Sequence, residues 1–153
     1  MTLVGLVSLP SQERILMVEI TFEIDTSPIG KLPGKFKKAQ GQGLNYAAQD
    51  MTRFLMENSP VDHGLLRQWF IDSIDDERAV IKSPAEYAIY QDQGTSAHMI
   101  YPNKAKALHW GGKYFSKGHM VSGIKGKHFV ERSFEQLTPL IPGYFLKALE
   151  EIE

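Results

Sequence analysis

The chain has 153 residues, about one domain's worth, which is enough to bury a hydrophobic core without a disulfide or metal staple. The absence of cysteine excludes disulfides, thiolate metal sites and a cysteine nucleophile. A formal charge of −1 gives no overall attraction to nucleic acid or membrane, and no apolar run approaches the ~20 residues that span a bilayer.

The first fourteen residues resemble a signal peptide only weakly. They have no basic n-region, and Gly5 and Ser8 interrupt the apolar stretch. We therefore expect this segment to belong to the mature protein.

The next segments predict a strand and then a long helix. Residues 14–24 predict a half-buried strand, because every second residue from Val18 to Ile24 is apolar and the residues between them are polar. Residues 36–58 carry one apolar stripe at helical spacing, formed by Leu44, Ala47, Ala48, Met51, Phe54 and Leu55. A helix of this length is about 30 Å long, so we expect it to pack across a sheet.

Pro60 and Gly64 stop this helix, and a mixed region follows. Residues 65–74 fit either a strand or a short helix. Residues 75–77 predict a turn, and the β-branched pair in 78–82 predicts a strand.

Ser83 begins a predicted short helix that ends before Gly94, with Glu86 completing a capping box. Short strands are expected at 98–101, 107–110 and 113–115, with Gly111-Gly112 as a hairpin turn.

Glycines in 116–127 predict an open loop, which we expect to be mobile until it docks on a partner. A helix over 128–137 is expected to break at Pro139 and Pro142, and a last helix covers 144–153. The whole pattern predicts one α+β domain over residues 1–153. Its mainly antiparallel sheet would pack against one long amphipathic helix and shorter helices.

Charge is segregated along the chain. Residues 57–92 hold eight acids and three bases, whereas residues 101–132 hold seven bases and one acid. Solvated loops of opposite sign explain this pattern, and so do two unlike faces suited to head-to-tail self-association. The candidate contacts to another subunit or to DNA are Lys104, Lys106, Lys113, Lys117, Lys125 and Lys127.

No catalytic motif is present. His98, His109, His119 and His128 are spaced 11, 10 and 9 residues apart, which is not the spacing of a metal-binding helix. Nucleophile-elbow and phosphate-loop motifs are also missing. We therefore expect no enzyme and no cofactor, with a hydrolase that uses a histidine metal site as a remaining alternative.

A second alternative is a small nucleic-acid-associated protein that uses the basic 101–132 stretch. Lysines alternate there with aromatic residues, as in grooves that stack bases. Those aromatics stand where the predicted strands need core residues, and no RNA- or DNA-binding motif is present.

Four segments in order resemble one known family. They are SPVDHGLLR at 59–67, AEYAIYQDQGT at 85–95, IYPNKAKALHW at 100–110 and KHFVERSF at 127–134. The chain from about 36 to 137 is similar to the neck or tail-completion family of long-tailed phages.

The resemblance implies a non-enzymatic structural protein at the junction of the virion's head and tail, present in the host cytoplasm during assembly. It implies a sixfold or twelvefold ring of copies that contacts other neck, connector and tail proteins, with nonspecific contact to DNA in the channel and none to a membrane. Turn and cap chemistry suggests that the motif positions hold the fold: Pro60, Asp62, Gly64, Glu86, Tyr87, Tyr90, Gly94 and Thr95. We expect Tyr87 and Tyr90 to pack from the short helix and Thr95 to bond to the backbone groups at its end.

Overall fold

The computed structural model describes residues 3–8, 18–24, 34–61, 64–115 and 117–152. The backbone groups into two compact units, a division that the sequence did not predict. Unit 1 consists of Met1–Ala88 and Phe129–Glu153, and unit 2 consists of Ile89–His128. Helices and antiparallel strands occur together, so the predicted α+β class is confirmed.

Unit 1 contains a four-stranded antiparallel sheet. Its strands are β1 (Leu3–Ser8), β2 (Val18–Ile24), β3 (Phe70–Ile74) and β4 (Arg78–Ser83), in the spatial order β1-β2-β4-β3. β1 was not predicted as a strand and pairs along its length with β2. The part of the predicted first strand before Val18 lies outside the described residues.

Helix α1 (Gly34–Asn58) packs on the sheet through β3 and β4. All six residues of the predicted apolar stripe are buried, which confirms the amphipathic helix and its packing across the sheet. Gly43 is buried as well, because the ring of Phe145 lies 3.5 Å from the position a Cβ would take.

The region after α1 combines both structures that its sequence allowed. A 3-10 turn (Leu65–Arg67) precedes β3. Between them, Trp69 is only 2% exposed, its Nε1 donates to Ser59 Oγ at 3.0 Å, and its ring meets Phe129 edge-on at 6.2 Å. This indole therefore ties the end of α1 to the C-terminal helices.

The short helix α2 (Ala88–Gln93) begins later than predicted. β4 continues through Ser83, which pairs with Val18, and the Ser83 hydroxyl accepts from the Ala85 amide at 3.2 Å. Glu86 lies in the turn before the helix, so the predicted capping box was wrong.

The predicted helix over 128–137 ends before Pro139 as expected, but Pro142 lies within the last helix, which begins earlier than predicted. Helix α3 (Phe129–Leu137) leads into a 3-10 turn (Thr138–Leu140) and then α4 (Ile141–Glu150). Pro139 and Pro142 each occupy the start of an element, where a helix needs no N–H donor. Both helices pack on α1.

A partly buried hydrogen bond joins α4 to α1, and it predicts that the stability of the fold depends on pH. The Tyr144 hydroxyl donates to Asp50, which Arg53 also contacts at 2.9 Å. Burial raises the pKa of Asp50, but the hydrogen bonds from Tyr144 and Arg53 and the charge of Arg53 together bring it below 3.8. A carboxyl group whose pKa is lower in the folded state stabilises the fold at every pH above its ordinary pKa. This stability is lost as the pH falls through the folded-state pKa.

We expect Tyr144→Phe to lower the free energy of unfolding at neutral pH and to reduce its further loss below about pH 4. Urea unfolding at neutral and acidic pH measures both effects. Tyr90→Phe is the control, because that ring is exposed. An unchanged acid dependence in Tyr144→Phe would contradict the prediction.

Candidate interaction surface

The first and last segments of unit 2 lie side by side and are joined by backbone hydrogen bonds. The Lys127 amide donates to the Gln91 carbonyl at 3.0 Å, and the His128 amide donates to the Asp92 carbonyl at 2.9 Å. Further along, Thr95 exchanges two hydrogen bonds with Ile124. Its amide donates to the Ile124 carbonyl at 2.8 Å, and its Oγ1 accepts from the Ile124 amide at 3.1 Å. We call residues 91–96 and 123–128 the strap.

Three glycines make this close approach possible. A Cβ on Gly94 would lie 2.5 Å from both the Gly126 nitrogen and the Ile124 oxygen, and Gly94 has a φ of 81°. A Cβ on Gly126 would lie 2.7 Å from the Gln93 carbonyl. Gly123 faces the Thr95 carbonyl in the same way. Backbone meets backbone at all three positions, so no side chain can be accommodated without moving the strap.

Two short ribbons lie along the chain between the two halves of the strap. β5 (His98–Ile100) pairs with β8 (His119–Val121), and β6 (Leu108–Trp110) pairs with β7 (Lys113–Phe115). The predicted turn of the second ribbon is confirmed, because Gly111 and Gly112 have φ of 58° and 74°. The predicted open loop was wrong for its described part, since it contains β8 and one half of the strap. The glycines that suggested mobility serve close packing instead.

One face of the β5–β8 ribbon is apolar and uncovered. Met99 and Met120 are register partners, so their side chains share a face of the ribbon. They are 42% and 59% exposed. Among the described side chains of unit 2, only Ile89 and Asp92 are buried. Unit 2 is therefore mostly surface.

The aromatic residues of the basic stretch do not all enter a core. Tyr101 and Tyr114 are 65% and 76% exposed, whereas Phe129 is buried in unit 1. The expectation that these aromatics serve as core residues was wrong for the two tyrosines. The ring centroids of His109 and Tyr114 are 4.4 Å apart, so this histidine packs against the tyrosine across the β6–β7 hairpin.

The charge of the surface is one-sided. Unit 2 holds six lysines and four histidines against a single acid, Asp92, which is buried. All six predicted contact lysines are exposed and lie in this unit. Five of them make no ion pair with a described residue: Lys104, Lys106, Lys113, Lys117 and Lys125.

Half of the acidic residues in the stretch 57–92 form ion pairs, which the sequence did not predict. Four of its eight acids pair with bases of unit 1, at distances of 2.8 to 3.8 Å: Glu57, Asp72, Asp75 and Asp76. Asp75 also accepts from the Glu77 and Arg78 amides, and these two hydrogen bonds hold its pKa below the ordinary value. The acidic patch is therefore partly neutralised by neighbouring bases, whereas the five lysines named above have no such partner among the described residues.

The motif residues have distinct places in the structure. Gly64 precedes the 3-10 turn with a φ of 80°, and Gly94 directly follows α2, where its amide donates to the Tyr90 carbonyl at 2.9 Å. Pro60 and Tyr87 are half-buried, and Asp62 lies outside the described residues.

Two motif residues act differently from expectation. Tyr90 is exposed instead of packing from its helix. Thr95 bonds to Ile124, twenty-nine residues away, instead of to the end of α2. The signal for the strap in the sequence was the pair of glycines at 123 and 126, which equally predicts an open loop.

The described residues contain no group of three or more histidine or acidic side chains placed to hold a metal ion. Among the helices of these residues, none combines the length and hydrophobicity that crossing a bilayer requires.

The molecule is thus an α+β protein whose basic unit 2 lies, along the chain, between the two segments that form unit 1. Comparison of the chain with protein families, with curated proteins and with solved structures gave no match.

Proposed function

We propose that this chain is a virion structural protein of the head–tail junction of a long-tailed phage, where it acts as a ring subunit that joins head to tail. The resemblance of its four ordered motifs to the neck and tail-completion family is the starting point. Three of the motifs contribute to unit 2 or to its strap.

The observation that carries the proposal is the exposed surface of unit 2. It combines five exposed lysines that form no ion pair with a described residue (Lys104, Lys106, Lys113, Lys117 and Lys125) with an uncovered apolar ribbon face, and it has no exposed carboxylate among its described residues. Such a surface is suited to binding another macromolecule. A structural joint needs binding surfaces of this kind and needs no reacting groups.

A phage lacking this gene tests the proposal. We expect its lysates to contain filled heads and separate, finished tails in negative-stain electron micrographs. Supplying the wild-type gene from a plasmid should restore joined particles, which controls for effects on neighbouring genes. Normal joined particles without the gene would contradict the proposal.

The exposure of Tyr101 and Tyr114 among lysines favours a second candidate, a nucleic-acid-associated protein. Exposed rings can stack on bases, and lysines can neutralise phosphates. DNA affinity that falls steeply with salt, together with a preference for a sequence or for single strands, would favour this candidate over the structural role.

A further inference from the structure

The boundary between the two units is also a boundary between charges. Unit 2 carries a formal +5, from six lysines and one acid. The rest of the chain carries −6, from eleven bases and seventeen acids. The only acid of unit 2, Asp92, is buried, and five of the six lysines (all but Lys127) form no ion pair with a described residue. The matching opposite charge is present on unit 1 of every copy of this chain.

Unit 2 also has apolar surface without a cover. Isolated two-stranded ribbons are marginally stable in water, and they gain stability when one face packs on something else. The Met99–Met120 face is such a face, and Ile124 nearby in the chain is exposed as well. Methionine adapts its shape to a partner and is common at interaction surfaces.

We propose that unit 2 of one copy docks on unit 1 of a second copy, with the Met99–Met120 face as its apolar contact. The lysines of unit 2 supply attraction toward the acidic unit 1. Because the two surfaces differ, the contact is heterologous, and repetition of it forms a ring or an open chain. The inference deepens the ring-subunit role proposed above and rests on it for the closure of the ring.

A second copy fits this surface better than DNA does. Phosphates and sugars make little use of two exposed methionines on one ribbon face. Unit 2 contains no arginine, the residue whose planar fork binds phosphate most effectively. An acidic protein surface satisfies both the lysines and the methionines.

Sedimentation of the purified full-length chain at low and high salt tests the inference. We expect concentration-dependent association that weakens by about tenfold with added salt, because exposed charges are screened. The double variant Met99→Glu/Met120→Glu should associate at least about tenfold more weakly than wild type. Asn103→Glu/Ala105→Glu is the matched control, because it adds two carboxylates at exposed positions of unit 2 outside the β5–β8 ribbon and keeps both methionines.

A mixing experiment tests the heterologous geometry. The double variant keeps its unit 1, so a labelled sample should still bind wild-type protein with an affinity within about twofold of the wild-type value. The variant should also shorten wild-type assemblies, because its altered unit 2 cannot dock on the next copy. Circular dichroism checks that each variant is folded.

Three results would overturn the inference. They are a wild-type protein that stays monomeric at low salt, a double variant that associates normally, and a double variant that no longer binds wild type. Binding to acidic partners or DNA without self-association would identify another occupant and would also overturn it. None of these results bears on the phage lacking the gene, so the two proposals can fail separately.

Discussion

Replacement of Gly123 by alanine is expected to break the strap of unit 2 while unit 1 stays folded. A Cβ at this position would overlap the Thr95 carbonyl oxygen and lie 2.7 Å from the carbonyl carbon of that residue. It would also lie 2.8 Å from the Ser96 carbonyl carbon. These neighbours are backbone atoms, so relief requires the two segments to separate. Overpacking of this kind costs about 1–3 kcal/mol, and unit 2 has little core to absorb it.

Hydrogen exchange followed residue by residue measures this effect. The amides of Thr95 and Lys127 donate across the strap, and we expect them to lose protection in Gly123→Ala. Amides of β4 in unit 1 should keep theirs.

Gly143→Ala is the control for the strap, because nothing lies within 4 Å of its Cβ position. This glycine is in α4, where alanine should stabilise the helix by about 0.5–1 kcal/mol. Unchanged protection at Thr95 and Lys127 in Gly123→Ala would show that the strap is not closed as described.

The second large effect is expected at the centre of unit 1. Trp69→Ala should lower the free energy of unfolding by about 3–5 kcal/mol, since it empties a buried site and removes the contact with Phe129. Total stability of a small domain is only about 5–15 kcal/mol, so the variant is expected to unfold readily. Urea unfolding followed by circular dichroism measures the loss.

Two neighbouring variants make the Trp69 result interpretable. Trp69→Phe keeps a ring against Phe129 but leaves the Ser59 hydroxyl without its donor, so we expect an intermediate loss that stays measurable. Phe70→Ala changes an adjacent side chain that is 39% exposed, and its loss should be smaller. A loss in Trp69→Ala no larger than that in Phe70→Ala would contradict the central role of the indole.

The interaction surface was predictable in composition and not in shape. The six lysines and the excess of positive charge are visible in the sequence, and all six lie in unit 2. The exposure of Tyr101, Tyr114 and the two methionines was not visible, because the same alternation of apolar residues describes a strand that faces a core. Only the register of β5 with β8 places Met99 and Met120 on one uncovered face.

The sequence by itself determined the elements whose signal is local. The stripe of α1, the alternation in β2 and the glycine pair of the β6–β7 hairpin each report on neighbours within a few residues. The tertiary structure decided the strap, the start of α2 and the Lys37–Asp76 ion pair. These depend on segments distant in sequence, such as Thr95 with Ile124 or Lys37 with Asp76. A contact across that distance leaves no periodic pattern in the chain, and a glycine that permits it has the same letter as one in a free loop.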